Sequence, residues 1–362
     1  MIKYIQSAQL VILGLMFGLS CTKNKSEDQN NTLDTAVLSA GNRIVIVNEG
    51  QFMQNNASLS VYDPATHKVV NNAFSAVNNV PLGDVANSVS IFGSSLYIII
   101  NNSGKIYVAD SKTLVHKATI SGLDSPREIL FVASTKAYVS DLAARGLHII
   151  DLQTNTVSGF ISTDNGNKQF KQHCIETMLM SGGMVYACSW SYGDAVLVID
   201  PLSDNLVDSI KLPKQPNSIV ADRDGTLWVL SDGGYEGSPF GYDAPALTRI
   251  DPVTRQVESV FRMAHGTGAS QLGINRSGDT LFFLNNGVVK MSVYDREIPQ
   301  RRLIANTKRW YSLAVSPDAD ELYCADAIDY AQYGVVYRYS TGGAVIDSFY
   351  AGVNPGFYCF GK

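Results

Sequence analysis

The chain has 362 residues, more than one hydrophobic core usually serves, so it holds either two domains or a repeat. Charged residues make up 17%, and 30 glycines with 18 tyrosines suit strands joined by tight turns better than a helical bundle. A formal charge of −5, with no Lys/Arg block outside the N-terminus, excludes the electrostatic footprint of a nucleic-acid binder.

In chain order, Lys3 gives a short positive region and Leu10 to Leu19 an apolar run too short to span a bilayer, ending at Ser20-Cys21. This pattern resembles a bacterial lipoprotein signal, which implies cleavage after residue 20 and lipidation of Cys21. Lys25-Ser26-Glu27-Asp28 resembles the acidic tag that sends lipoproteins of the Bacteroidota to the outer cell surface. An uncleaved anchor, or a secretory signal with an incidental cysteine, are the alternatives. Residues 21–41 carry few apolar groups and are expected to form a flexible tether.

From residue 42 onward one unit recurs. Ser88 to Phe92, Leu96 to Ile100, Lys105 to Asp110 and His116 to Ile120 are short runs rich in Val, Ile and Tyr, bounded by Gly, Ser and Asn. The third run of each copy ends at Asp63, Asp110, Asp151, Asp200, Asp251, Asp295 and, as a variant, Ser340, a spacing near that of a four-stranded blade. The second runs repeat independently, from IVIVN at Ile44 to LYCAD at Leu322. The first runs end with GFYCF, Gly356 to Phe360, which has no copy after it, while the copy beginning at Arg43 has no first run before it. The expected fold is therefore all-β: a seven-bladed propeller over residues 42–362, with four-stranded antiparallel blades, closed by the C-terminal strand pairing into the N-terminal blade.

Asp-Pro turns such as Asp200-Pro201 and Asp251-Pro252 read as turn chemistry rather than calcium sites. Cys174, Cys188, Cys324 and Cys359 show no CxxC spacing, so zinc is not expected. Cys174 and Cys188 flank a hairpin at Gly182-Gly183, where a disulfide or two buried thiols are both open.

The long connections, second to third strand and fourth to next first strand, emerge on one face and are rich in aromatics and amides. The candidates there are Phe52, Phe170, His173, Trp190, Tyr192, Tyr235, Phe240, Tyr242, Trp310, Tyr311, Tyr330 and Tyr333. Interleaved with them are Asn55, Asn56, Asp84, Asn87, Asn101, Asn102, Gln172, Arg127, Arg145 and Arg309. Rigid aromatics supply contact area at low entropic cost, and amides orient a large polar ligand. Loop packing is the plainer role for any one of them. His173 and His265 lie on this face, each as a lone histidine, and no Gly-x-Ser-x-Gly run appears, so a binding protein is expected rather than an enzyme.

NEGQFMQNNASLSVYDPATHKVVNNAF, followed by PLGDVANSVSIFGSSLYIIINNSGKIYVAD, resembles the YncE-like seven-bladed propeller lipoproteins of the Bacteroidota, and among them most the surface vitamin B12-binding (BtuG-like) proteins. That resemblance implies a cell-surface lipoprotein, anchored in the outer membrane by lipid alone. It would capture a corrinoid (vitamin B12 or cobinamide) as transported ligand, without a cofactor, and pass it to a TonB-dependent outer-membrane transporter. Two other readings stay open: a glycan binder with Trp190 and Trp310 as stacking platforms, and a propeller lactonase or lyase.

Overall fold

The computed structural model describes residues 33–164 and 174–361. Within them seven antiparallel sheets succeed one another, six of four strands and one of three, with strand order following the chain in all but the first. In the first, Pro355–Phe360 lies beside Ile44–Asn48 in the order expected for a closed ring. Ile44 pairs with Phe360, Val45 with Cys359 and Ile46 with Tyr358.

The burial of each strand follows its distance from the axis. Second strands such as Ile44–Asn48 and Leu227–Ser231 are buried on both faces, because neighbouring blades cover them from either side, and they read as continuous apolar runs. The outermost strands, such as Asn205–Lys211, are largely exposed. Among the described residues the buried apolar side chains form no central core. Seven apolar clusters lie one between each pair of neighbouring blades. The cluster between the last and first blades joins Ile46 and Tyr62 to Tyr323, Phe349 and Tyr358, with the Tyr62 and Phe349 rings stacked at 3.9 Å. The clasp is thus packed as fully as any other blade boundary.

Two expectations are corrected. The third strand of blade six stops at Ser292 rather than Asp295, and no fourth strand follows among the described residues. Asp295 instead accepts the Ser292 amide at 2.8 Å and closes a turn. The following stretch, Arg296-Glu297-Ile298-Pro299-Gln300-Arg301, offers no alternating apolar pattern, and Pro299 has no N–H for a ladder. A single bridge from Ile304 to Val288 covers part of the open edge. The second correction concerns the tether, expected over residues 21–41. Its last part, from Leu33, is packed: Asp34 caps the short helix Thr35–Ser39, and Val37 and Leu38 are buried against blades one and two. The expectations for residues 1–20, Cys21 and the rest of the tether lie outside the described residues.

The turn aspartates spend their carboxylates locally, as read from sequence. Asp63, Asp110, Asp200 and Asp251 each accept the backbone N–H two residues on, and each also takes a Thr or Ser hydroxyl. Of the described cysteines, Cys174, Cys188 and Cys324 are buried and Cys359 is partly so, and Cys188, Cys324 and Cys359 are free thiols.

Candidate functional site

The seven innermost strands share one irregularity. Each has a register shift at its loop-face end, between Ala86 and Ser88, Pro126 and Ile129, Ile175 and Met178, Pro216 and Ser218, Ser270 and Gly273, and Trp310 and Ser312. Blade one has its shift between Val47 and Asn48, opposite Phe357 and Pro355. A bulge re-aims the residue it displaces. The first displaced residue of each blade is Asn87, Arg127, Glu176, Asn217, Gln271, Tyr311 or Gly356, and three blades displace a second, Glu128, Thr177 and Leu272. Gly356 has no side chain, and Glu49 fills its place: a Cβ on Gly356 would lie 2.2 Å from the Glu49 carboxylate. The result is a polar ring at the mouth of the axial channel.

Neighbouring members of the ring are tied together. Arg127 donates to Glu176 twice, through Nε at 2.9 Å and Nη2 at 2.5 Å. The Tyr311 hydroxyl donates to Glu49 at 2.6 Å. The Asn87 amide and Ser88 hydroxyl donate to the Arg127 carbonyl, Ser140 to the Glu176 carbonyl, Asn217 to the Ala269 carbonyl, and Ser312 to the Pro355 carbonyl. Each of these bonds crosses a blade boundary, so the ring is also the seam of the propeller.

Electrostatics follow from enclosure. Burial, together with the nearby Glu176 charge, pushes the Glu128 carboxyl up to about 8. Burial raises Glu49 against the opposing Tyr311 hydrogen bond. Asp232 is also raised by burial, although Trp190, the Gly234 amide and Asn217 donate to it. Burial, the largest single effect, would lower Arg127, but the Glu176 charge and hydrogen bonds together with the Glu49 and Glu128 charges outweigh it and hold the guanidinium above its ordinary value.

Two cavities meet at this ring. One, of about 370 Å³, runs down the axis and is lined by Glu49, Asn87, Arg127, Glu128, Glu176 and Gln271 above an apolar floor that includes Ile219, Leu313 and Phe357. The other, of about 560 Å³, lies off-axis towards blades five to seven. Trp190, Asn217, Asp232, Thr267, Asn285, Asn286, Asn306 and Trp310 line it, and it shares Arg127 and Glu176 with the channel. The wall is low at blade six, where the turn Asn285-Asn286-Gly287 replaces a long loop. Trp190 is fixed by its Nε1–H bond to Asp232 at 2.8 Å, and Trp310 by its bond to the Ala305 carbonyl at 3.1 Å.

Of the candidates read from sequence, Asn87, Arg127, Trp190 and Trp310 line these cavities, and Tyr311 joins the ring. Tyr330 packs edge-on to Tyr311 at 6.1 Å, with Arg309 over its ring at 5.6 Å. Tyr192 lies against Phe240 at 4.2 Å, and Tyr242 against His265 at 5.2 Å. Tyr192 and Tyr330 hold φ of 60° and 65°, strained values for aromatic residues. Tyr235 is an exposed loop residue.

The rest are placed elsewhere. Asn101 donates to the Ser125 hydroxyl and the Pro126 carbonyl across the blade boundary. Asp84 accepts the Met53 amide and the Asn102 side chain, and Asn56 accepts the Gln51 amide, so these residues shape the loop that carries Asn55 and presents Phe52, 67% exposed, at its tip. Arg145 pairs with Asp164 at 3.2 Å. The Tyr333 hydroxyl accepts from Asn72, beyond the outermost strand of blade one. Phe170, Gln172 and His173 lie outside the described residues.

Sequence reading missed Glu49, Glu128, Glu176, Asn217, Asp232 and Gln271, along with the asparagines of blade six. A signal was present: Arg127, Glu128 and Glu176 stand charged inside runs otherwise apolar, at the second or third position of aligned first strands. Among the described residues no group of three metal-ligating side chains is gathered.

The fold and this mouth define a seven-bladed propeller with a polar, loop-walled depression at one end of its axis. The chain belongs to the family described as Domain of unknown function (DUF5074), which matches residues 42–342. No protein of curated function matches it. Similar solved structures include a quinonprotein alcohol dehydrogenase-like protein of Bacteroides thetaiotaomicron, with 14% identity over 90% of this chain and 79% of that one and a TM-score of 0.67. The periplasmic gluconolactonase of Pseudomonas aeruginosa is similar at 12% identity over 89% and 99%, with a TM-score of 0.65. A putative 6-phosphogluconolactonase of Bacteroides fragilis is similar at 11% identity over 89% and 98%, with a TM-score of 0.66. At these identities the likeness is one of fold.

Proposed function

We propose that this propeller is a ligand-binding protein of the cell surface, held by a lipid on Cys21, which captures a corrinoid at its loop face and passes it to an outer-membrane TonB-dependent transporter. The observation that supports this reading is the off-axis depression of about 560 Å³, walled by Trp190 and Trp310 and edged by Asn217, Asn285, Asn286 and Asn306. A corrinoid has an apolar ring edge and many peripheral amides, and aromatic walls with an amide rim match both. Residues NEGQFMQNNASLSVYD and PLGDVANSVSIF, which carry the resemblance to the surface vitamin B12-binding proteins, fold into the blades next to the clasp. Isothermal titration of purified protein with cyanocobalamin and with cobinamide tests the reading. Saturable heat is expected from at least one, and no heat from either at micromolar protein overturns it.

A second reading is favoured by one observation, the Glu128 carboxyl with its affinity for protons raised to about 8 beside the channel. Such a group holds a proton near neutral pH and suits acid–base chemistry. The lactonases named above share the fold, and hydrolysis of δ-gluconolactone that is lost in Glu128→Gln would favour this reading over simple capture.

A further inference from the structure

The charges lining the two cavities are unequal. Among the described residues Arg127 is the one cation on either lining, while Glu49, Glu128, Glu176 and Asp232 are all carboxyl groups. Arg127 already faces a carboxylate, because Nε and Nη2 both donate to Glu176 and close a two-pronged pair that offsets its charge. The remaining polar groups of the off-axis cavity are neutral. The Asn306 amide donates to the Asn286 carbonyl oxygen at 2.7 Å, which leaves the Asn286 N–H groups and the Asn306 oxygen as donor and acceptor at the rim. Asn285 is committed to Thr267, Gly268 and Arg302 and fixes the turn that carries Asn286.

We propose that the Arg127–Glu176 pair makes the mouth a receptor for neutral groups, carboxamides and hydroxyls, and rejects ligands that bring a carboxylate or phosphate to the same place. The physical ground is the balance of charge: an anion would enter beside the Glu176 carboxylate and the Glu49 and Asp232 carboxyls, with Glu128 holding its proton near neutral pH and the Arg127 guanidinium already paired. Like charges set together in a partly desolvated site repel, which weakens binding of the wrong ligand. The proposal rests on the corrinoid reading for the identity of the ligand alone, since the charge selection belongs to the cavity.

The test compares cyanocobalamin with a derivative in which one peripheral amide has been hydrolysed to a carboxylate, by titration of the wild-type protein and of Glu176→Gln. Wild-type protein should bind the acid about tenfold more weakly than the amide, and Glu176→Gln, by releasing Arg127, should narrow that gap. Citrate serves as a probe free of any corrinoid: it should bind Glu176→Gln more tightly than wild type. The double variant Arg127→Gln/Glu176→Gln should lose that gain, which separates a released guanidinium from a general loosening. If no corrinoid binds, the corrinoid reading fails and the citrate comparison decides the charge selection alone. Equal binding of acid and amide by wild-type protein, or citrate binding as tight to wild type as to Glu176→Gln, overturns the proposal.

Discussion

At the residue scale, chemically similar side chains divide into those that hold the ring together and those that remain available. Asn101 and Asn286 are both asparagines near the mouth, yet Asn101 gives its amide to Ser125 and Pro126 across a blade boundary, whereas Asn286 uses only its side-chain oxygen, to accept from Asn306, and lines the off-axis cavity. Asn101→Ala is therefore expected to cost about 1–2 kcal/mol of stability, the loss of two hydrogen bonds, while leaving ligand affinity unchanged. Thermal unfolding beside a binding titration checks this, and weakened binding with unchanged unfolding would move Asn101 into the site. Glu128 gives a pH dependence. Its carboxyl binds a proton more tightly folded than unfolded, so the stability it contributes is fully present below about pH 4.5 and is lost as pH rises to about 8. In Glu128→Gln that fall should be smaller, and unfolding temperatures measured across pH 5 to about 9 should show a flatter profile than wild type. An identical slope would show that Glu128 titrates as it does in the unfolded chain.

At the element scale, the blades were legible because each second strand is a continuous apolar run and each turn is marked by Asp, Pro or Gly. Blade six misled at Asp295 because MSVYD has the apolar-then-Asp signature of a third-strand end, and only the absence of a pairing partner, with Pro299 downstream, ends the ladder early. The helix Thr35–Ser39 was hidden in a polar stretch whose two buried residues, Val37 and Leu38, are too few to show a period. The polar ring was legible only as charges out of place in apolar runs, at Arg127, Glu128 and Glu176; the bulges that bring Arg127, Glu176 and Asn217 to one mouth are not written in composition. The clasp, by contrast, followed from counting strands. Removing residues 354–362 should cost at least about 4 kcal/mol, since it strips the buried Tyr358 from one blade boundary and the partner of Ile44–Asn48 from the ring. Unchanged thermal unfolding after the truncation would contradict a closed ring.

At the scale of the whole molecule, closing seven similar sheets into a ring places every long loop at one end and every bulged inner residue around one axis. Each blade contributes a small part of the mouth, so no single loop motif announces the ligand; the two tryptophans that wall the depression come from blade four and from the start of blade seven. The central claim is that a ligand is held between them. Its most direct test is a titration of cyanocobalamin into wild-type protein and into Trp190→Ala, Trp310→Ala and the double variant, each first shown to unfold cooperatively. The account predicts one saturable site in wild type, weakened by on the order of tenfold or more in each single variant and lost in the double. Equal affinity in wild type and the double variant, or no binding by wild type, would contradict it.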